Sequence, residues 1–377
     1  MTGAALAVLA ALAAQPAPAE TPEDRVARAP FGDVTAVETW LADNPDEAAE
    51  HRRAAYADLC EAHGRASRYR EAHLACAAVL ALSPSPSPGA LQSTAFWRAL
   101  ADAPPLAVTG QVDAPLTPHW TNMGLIDVTV DGRSMPWAVD TGAEVSVLSE
   151  SQAADLGVRL LGDDLSISGS TPGVAAGRIG LIDRLRIGEA ELRNLPVFVL
   201  PDAALTVPSM GPLPPILGMT ALYPFEHVAF LDGGTHLRLG FAEDAVPPDQ
   251  GAQMTWNPAG FDVVITLESG GELDLHLDTG SNETEFHEPL AMERLSQAEQ
   301  RRIAGATRTS FGVTGSVETQ VSTVSDLSVR LGDGRCTLAR VVLSQNRANA
   351  QGRAGMDLVR ACGSVRLDFA SMRAQAF

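Results

Sequence analysis

Residues 138–150 read AVDTGAEVSVLSE, and residues 276–285 read HLDTGSNETE. In each stretch Asp-Thr-Gly comes directly after an apolar, strand-like run. Residues 123–130 and 135–139, joined by Asp131-Gly132, precede the first copy. Residues 261–267 and 273–277, joined around Gly270-Gly271, precede the second. Short alternating runs separated by Asp-Gly or Gly-Gly predict β-hairpins. A second landmark follows each copy at nearly equal distance: ILGM at 216–219 and RAGMDL at 353–358, with Gly218 and Gly355 in register. Leu231-Asp232 and Leu367-Asp368 come next. One Asp-Thr-Gly alone is as well read as a surface turn. Two copies sharing registered landmarks mark an internal duplication.

A strand that ends in Asp-Thr-Gly presents a carboxylate on a tight turn. The glycine admits a second backbone at close range, and the threonine hydroxyl can bond across to a partner loop. Two such loops face to face bring two carboxylates together. They cannot both ionise at that range, so the pair shares a proton. The ionised member can then activate a water while the protonated member polarises a carbonyl. This is peptide hydrolysis with neither a cofactor nor a metal.

On these residues each half of the chain resembles the retropepsin-like aspartic proteases. The first copy, AVDTGAEVSVLSE with ILGMTAL, is similar to both family signatures, and the resemblance spans roughly residues 110–241 and 254–377. It implies a mainly β fold: two retropepsin-like closed β-barrel lobes in one chain, arranged like pepsin, preceded by a small α-helical hairpin domain. It also implies Asp140 and Asp278 as the catalytic pair, supported by Thr141, Gly142, Thr279, Gly280 and Ser281. Flap hairpins at residues 165–182, with Gly169, Gly173 and Gly177, and at 311–322, with Gly312 and Gly315, would close on substrate. None of the three tyrosines, Tyr56, Tyr69 and Tyr223, falls in a flap. The second copy departs from the family pattern. Arg353 and Ala354 stand where two apolar residues are usual, and Ser281-Asn282-Glu283-Thr284-Glu285 replaces an apolar strand.

Several side chains near the dyad carry their own expectations. The Ser281 hydroxyl is placed to donate to Asp278, making Asp278 the more readily ionised member. His276, on the strand face of Asp278, is read equally as lining the cleft or as a surface residue. Trp137 is expected to pack on the opposite face, and Glu283 and Glu285 to be solvated strand charges.

A net charge of −19, with no basic run longer than two residues, argues against nucleic acid and anionic membranes as partners. All 27 basic residues are arginine, which excludes Schiff-base and P-loop lysine chemistry. The apolar run at 4–14 is too short to span a bilayer. With Ala17-Pro18-Ala19 it reads as a signal peptide over residues 1–19, hence a periplasmic or secreted protein with no membrane span.

Residues 20–105 form a helical, tetratricopeptide-like region. Gly64 and Ser67 punctuate a helical pair within it, and the Ser-Pro run 83–88 is expected as a stiff extended linker. Lobe 1 covers 106–245 and lobe 2 covers 246–377. The four cysteines fall as two pairs, Cys60 with Cys76 and Cys336 with Cys362, and export predicts at least one bridge. The favoured function is an aspartic endopeptidase acting on extended peptide or protein substrates, as a monomer with intrachain lobe pairing. The alternatives are a catalytically inactive peptide-binding protein that keeps the protease fold, and a helical adaptor on a β scaffold.

Overall fold

The structure, a computed structural model, describes residues 34–121, 123–168, 174–207, 211–247, 249–257, 260–312, 315–345 and 351–377. The expected signal peptide, the start of the helical region, and Gly169 and Gly173 lie outside the described residues.

Four helices open the described chain: α1 (Thr35–Asp43), α2 (Ala49–Arg65), α3 (Tyr69–Ala81) and α4 (Pro88–Leu100). The expected helical pair is α2 and α3, turned at Ser67 with φ 56° and bridged by Cys60–Cys76 at a Cα separation of 5.1 Å. Gly64, the penultimate residue of α2, and Ser67 mark the turn as expected, and a Cβ on Gly64 would meet the Trp97 ring at 2.2 Å. One expectation is corrected. The Ser-Pro run is a compact connection, not an extended spacer. Ser87 caps α4 by accepting from the Ala90 N–H at 3.2 Å, and Pro88 sits in the first helical turn, where a missing N–H costs nothing. The chain therefore folds straight back, and the Thr94 hydroxyl on α4 donates to the Cys76 carbonyl of α3 at 3.3 Å.

From residue 107 the chain is mainly β. In its first half the strands that pair in a cycle are β1 (Gly124–Val130), β2 (Arg133–Val139), β3 (Ser146–Ser149), β4 (Val174–Ile187), β5 (Ala190–Leu200) and β6 (Ile216–Leu217). β1 pairs antiparallel with β2, β2 parallel with β6, and β6 antiparallel with β3. Then β3 runs parallel with β5, β5 antiparallel with β4, and β4 antiparallel with β1, so the pairing returns to its start.

In the second half the strands are β7 (Gly260–Leu267), β8 (Glu272–Leu277), β9 (Glu285–His287), β10 (Gly315–Leu331), β11 (Gly334–Ser344) and β12 (Gly352–Ala354). They pair in the same cyclic order with the same senses: β7–β8, β8–β12, β12–β9, β9–β11, β11–β10 and β10–β7. Cys336 on β11 is bridged to Cys362 at the end of the helix Met356–Cys362.

The halves also join below the Asp-Thr-Gly loops. Strand His227–Leu231 pairs antiparallel with Val365–Asp368, matching Phe230 to Val365, so the two Leu-Asp landmarks lie on or beside one shared sheet. Around it runs a continuous buried core that includes Trp137, Phe230, Phe286 and the packed rings of Trp256, Phe261 and Phe369. Trp137 is fully buried.

The helices dock on the first half. Phe96 lies edge-on to Trp97 at 4.6 Å and against Phe198 of β5 at 5.2 Å, and the same cluster buries Val145, Ile179 and Leu181. Arg65 reaches further: its guanidinium lies 4.7 Å over the Trp256 ring, and its carbonyl accepts from the Tyr223 hydroxyl at 3.2 Å. Truncating Phe96 removes the ring that joins the helices to β5. Phe96→Ala is expected to destabilise this docking by about 3–5 kcal/mol, measured as a lower urea midpoint and faster proteolytic cleavage between residues 101 and 106. An unchanged midpoint and cleavage rate would show that the helices hold by other contacts.

Candidate active site

Each Asp-Thr-Gly follows a central strand, β2 or β8, flanked by the landmark strand β6 or β12. The aspartate N–H continues that pairing: Asp140 donates to the Leu217 carbonyl at 3.1 Å and Asp278 to the Ala354 carbonyl at 2.9 Å. The chain then turns back over the landmark glycine. A Cβ on Gly218 would lie 2.6 Å from the Ala143 carbonyl oxygen, and one on Gly355 would lie 2.7 Å from the Glu283 backbone. Only glycine lets the loop pass so close, which is why the second landmark accompanies the first. A hydroxyl six residues after each aspartate accepts the landmark N–H: Ser146 from Gly218 at 3.0 Å and Thr284 from Gly355 at 3.1 Å. The next N–H is also paired alike, Met219 donating to Ala143 at 2.8 Å and Met356 to Ser281 at 2.7 Å.

The loops meet through their threonines, both buried. The Thr141 N–H donates to the Thr279 hydroxyl at 3.0 Å, and the Thr279 N–H to the Thr141 hydroxyl at 3.1 Å. Each hydroxyl in turn donates to the carbonyl before the opposite aspartate: Thr141 to Leu277 at 2.8 Å, Thr279 to Val139 at 3.3 Å.

This crossing sets each carboxyl against the opposite glycine. A Cβ on Gly142 would lie 2.4 Å from Asp278 Cγ, and one on Gly280 would lie 2.5 Å from Asp140 Cγ. Asp278 is close enough to disfavour the charged form of Asp140. Asp140 Oδ1 also accepts the N–H groups of Gly142 at 2.8 Å and Gly280 at 3.2 Å. Burial, then the neighbouring Asp278 charge, push the Asp140 carboxyl up to about 7, against those two N–H donors.

Four expectations about neighbouring side chains change. The Ser281 hydroxyl turns away and donates to the Glu283 carbonyl at 3.1 Å; it is the Ser281 backbone N–H that donates to Asp278 Oδ1, at 3.0 Å. His276 is neither cleft-lining nor exposed: it is buried with Nδ1 3.1 Å from the Phe261 carbonyl. Glu285 is buried and ion-paired with Arg308 and Arg353, with the Ser344 hydroxyl on its other oxygen. Burial alone would raise this carboxyl, but the Arg308 and Ser344 bonds hold it below its ordinary range. Glu283 pairs with Arg308 and Arg340.

Sequence reasoning assigned no role to Arg353, although it noted the residue as a departure. Its Nη1 lies 3.2 Å from Asp278 Oδ2 and its Nη2 3.2 Å from Glu285 Oε2. A cavity of about 240 Å³ adjoins this network, lined by Glu283, Arg308 and Arg340 among others. Gly312 and Gly315 are backbone partners at the end of the hairpin formed by Ile303–Gly312 and β10. In the first half, Arg159–Ser168 and β4 form the matching hairpin, where Gly177 pairs with Leu165.

Among known proteins, a solved retropepsin-like aspartic protease from Rickettsia conorii is 22% identical over 36% of this chain and 92% of its own, with a TM-score of 0.27. No curated protein matches the chain. Residues 126–223 match the family described as "gag-polyprotein putative aspartyl protease". That stretch runs from β1 through the first Asp-Thr-Gly to Tyr223, and it carries the chain's likeness to the aspartyl protease family.

Proposed function

We propose that this chain is a single-chain aspartic endopeptidase, with Asp140 and Asp278 as its dyad and lobes at 106–245 and 246–377, each a closed barrel. The observation that supports it is the crossing of the two Asp-Thr-Gly loops, which sets each carboxyl against the opposite loop's glycine. A water between the carboxyls gives a proton to the ionised one as its oxygen attacks the scissile carbonyl carbon. The other carboxyl protonates the carbonyl oxygen. Collapse of the tetrahedral intermediate breaks the C–N bond, returns one proton to the leaving amine and restores the shared proton.

Thr141 and Thr279 hold the two loops in register, while Gly142 and Gly280 leave room for the carboxyls. The segments 165–182, with Gly169 and Gly173, and 311–322, with Gly312 and Gly315, serve as flaps over an extended peptide or protein. The helical region, 20–105, braces lobe 1, and the enzyme works as an exported monomer, periplasmic or secreted. A second reading, a peptide-binding cleft without turnover, draws on Arg353, whose guanidinium engages one oxygen of Asp278.

Cleavage of an unfolded protein substrate, sensitive to pepstatin, tests the first reading. Asp140→Asn and Asp278→Asn are each expected to lower kcat/KM by about 100- to 10,000-fold. Undiminished cleavage in either variant would remove the mechanism. A folded, peptide-binding wild type without cleavage would select the second reading. Turnover requires one proton on the dyad, so the alkaline limb of kcat/KM should fall near 7, where Asp140 loses its proton.

The same titration predicts a stability effect. Asp140 binds its proton more tightly folded than unfolded, from an ordinary value of 3.8. Its stabilising contribution is therefore whole below that value and is lost as pH rises towards 7. Asp140→Asn, which carries no titrating group there, should gain Tm relative to wild type between about pH 4 and 7, with a constant gap above. A gap independent of pH would show that Asp140 is not held protonated.

A further inference from the structure

The two halves supply an internal control for the residue beside each aspartate. β6 and β12 occupy the same place in their cycles, and Ile216 and Arg353 stand two residues before the landmark glycines. Ile216 is paired in register with Ala138 and Val147; Arg353 is paired with His276 and Glu285. Beside Asp140 the lattice is thus apolar, Ile216 with Val147. Beside Asp278 the same two sites hold an arginine and a carboxylate. One position further out, Val145 is buried under the helices, whereas its counterpart Glu283 pairs with Arg308 and Arg340.

We infer that Arg353 is a built-in counter-ion that decides which member of the dyad keeps the charge, holding Asp278 as the carboxylate and leaving the shared proton on Asp140. The inference rests on the endopeptidase reading for its role in turnover, but not for the location of the proton. Asp278 becomes the group that takes the proton from water, and Asp140 the group that protonates the carbonyl. Arg353 is a positioning residue: it acts through Asp278.

Charged and polar groups approach this site from every adjoining element. Asp140 faces Asp278 across the loop crossing. Arg353 comes from β12 and Glu285 from β9, with Ser344 of β11 on Glu285. Arg308 comes from strand Ile303–Gly312 and binds Glu285 and Glu283; Arg340 of β11 closes the chain on Glu283. His276 of β8 faces Asp262 and the Phe261 carbonyl. Three guanidinium groups meet three carboxylates, Asp278, Glu285 and Glu283. Because Arg308 and Ser344 already satisfy Glu285, one arm of Arg353 remains directed at Asp278. Side-chain exposure of 15% for both partners keeps water from screening the pair as it would a surface bridge. Among the described residues no cation pairs with Asp140, and burial leaves its charged form disfavoured.

The test is Arg353→Ile, which copies the first half, with Arg353→Lys as the charge-conserving control. Two measurements are compared with wild type. The first is the pH profile of kcat/KM on an unfolded protein substrate. Loss of the cation should move the acidic limb upward by about one pH unit or more, and Arg353→Lys should restore most of the shift. The second is aspartate carboxyl-carbon NMR at a pH where the dyad holds one proton, with Asp140 and Asp278 assigned through their asparagine variants. Wild type should show Asp278 as carboxylate and Asp140 as carboxylic acid, and Arg353→Ile should move the two signals towards each other.

An unmoved acidic limb with unmoved signals overturns the inference. So does a uniform change of rate at every pH, which would make Arg353 a structural or occluding group. If Arg353→Ile is inactive throughout, the NMR comparison decides alone. If wild type cleaves nothing yet its signals are split and merge in Arg353→Ile, the counter-ion stands and the endopeptidase reading falls.

Discussion

Four hydrogen bonds between two threonines and the backbone of the opposite loop fix everything else at this site. Each hydroxyl both accepts an N–H and donates to a carbonyl, so neither loop can shift without leaving a buried polar group unsatisfied on both sides. That closure sets the carboxyls against the opposite glycines, so a Cβ at Gly142 or Gly280 would displace the facing aspartate. The shared sheet beneath, where His227–Leu231 pairs with Val365–Asp368, carries the registry down into the core. The dyad is therefore a consequence of how two strand ends cross, and its geometry does not depend on the flaps.

The parts of this architecture that repeat were legible in the sequence, because repetition exposes steric necessity. Asp-Thr-Gly and the later glycine recur since a loop must pass within van der Waals distance of a second backbone at both places. Gly218 and Gly355 mark that passage from 78 and 77 residues away. The hairpins leading to each aspartate were also legible, because Asp131-Gly132 takes positive φ at both positions, 47° and 80°, as a two-residue turn requires.

Other features were hidden because they depend on distant partners. Gly64 marks the end of α2, but its second constraint, the Trp97 ring of another helix in the place of a side chain, is invisible in the sequence. The Ser-Pro run reads as a spacer until α4 is seen folding back on α3. Glu285 reads as a solvated strand charge, and only Arg308, Arg353 and Ser344, on three other strands, explain its burial. Ser281 was misread for a local reason. Its backbone N–H, at the same position, makes the bond to Asp278 that was expected of its hydroxyl, and the hydroxyl is taken up within its own turn.

A dyad made of two identical chains would carry the same residue beside each aspartate, and its shared proton would have no preferred side until a substrate supplied one. Joining the halves in one chain removes that restriction, and this molecule departs from symmetry at the sites that touch the dyad. Ser146 and Thr284 still receive the landmark N–H groups, and Thr141 and Thr279 still exchange bonds, so the scaffold keeps its two-fold relation. The positions beside them diverge: Val145, Val147 and Ile216 are apolar, with Val145 packed under the helices, while Glu283, Glu285 and Arg353 form an ionic network beside a cavity. The two sets are neighbours in the chain, Ser146 between Val145 and Val147 and Thr284 between Glu283 and Glu285. One set of positions can thus preserve the crossing while the next sets the electrostatics beside each carboxyl.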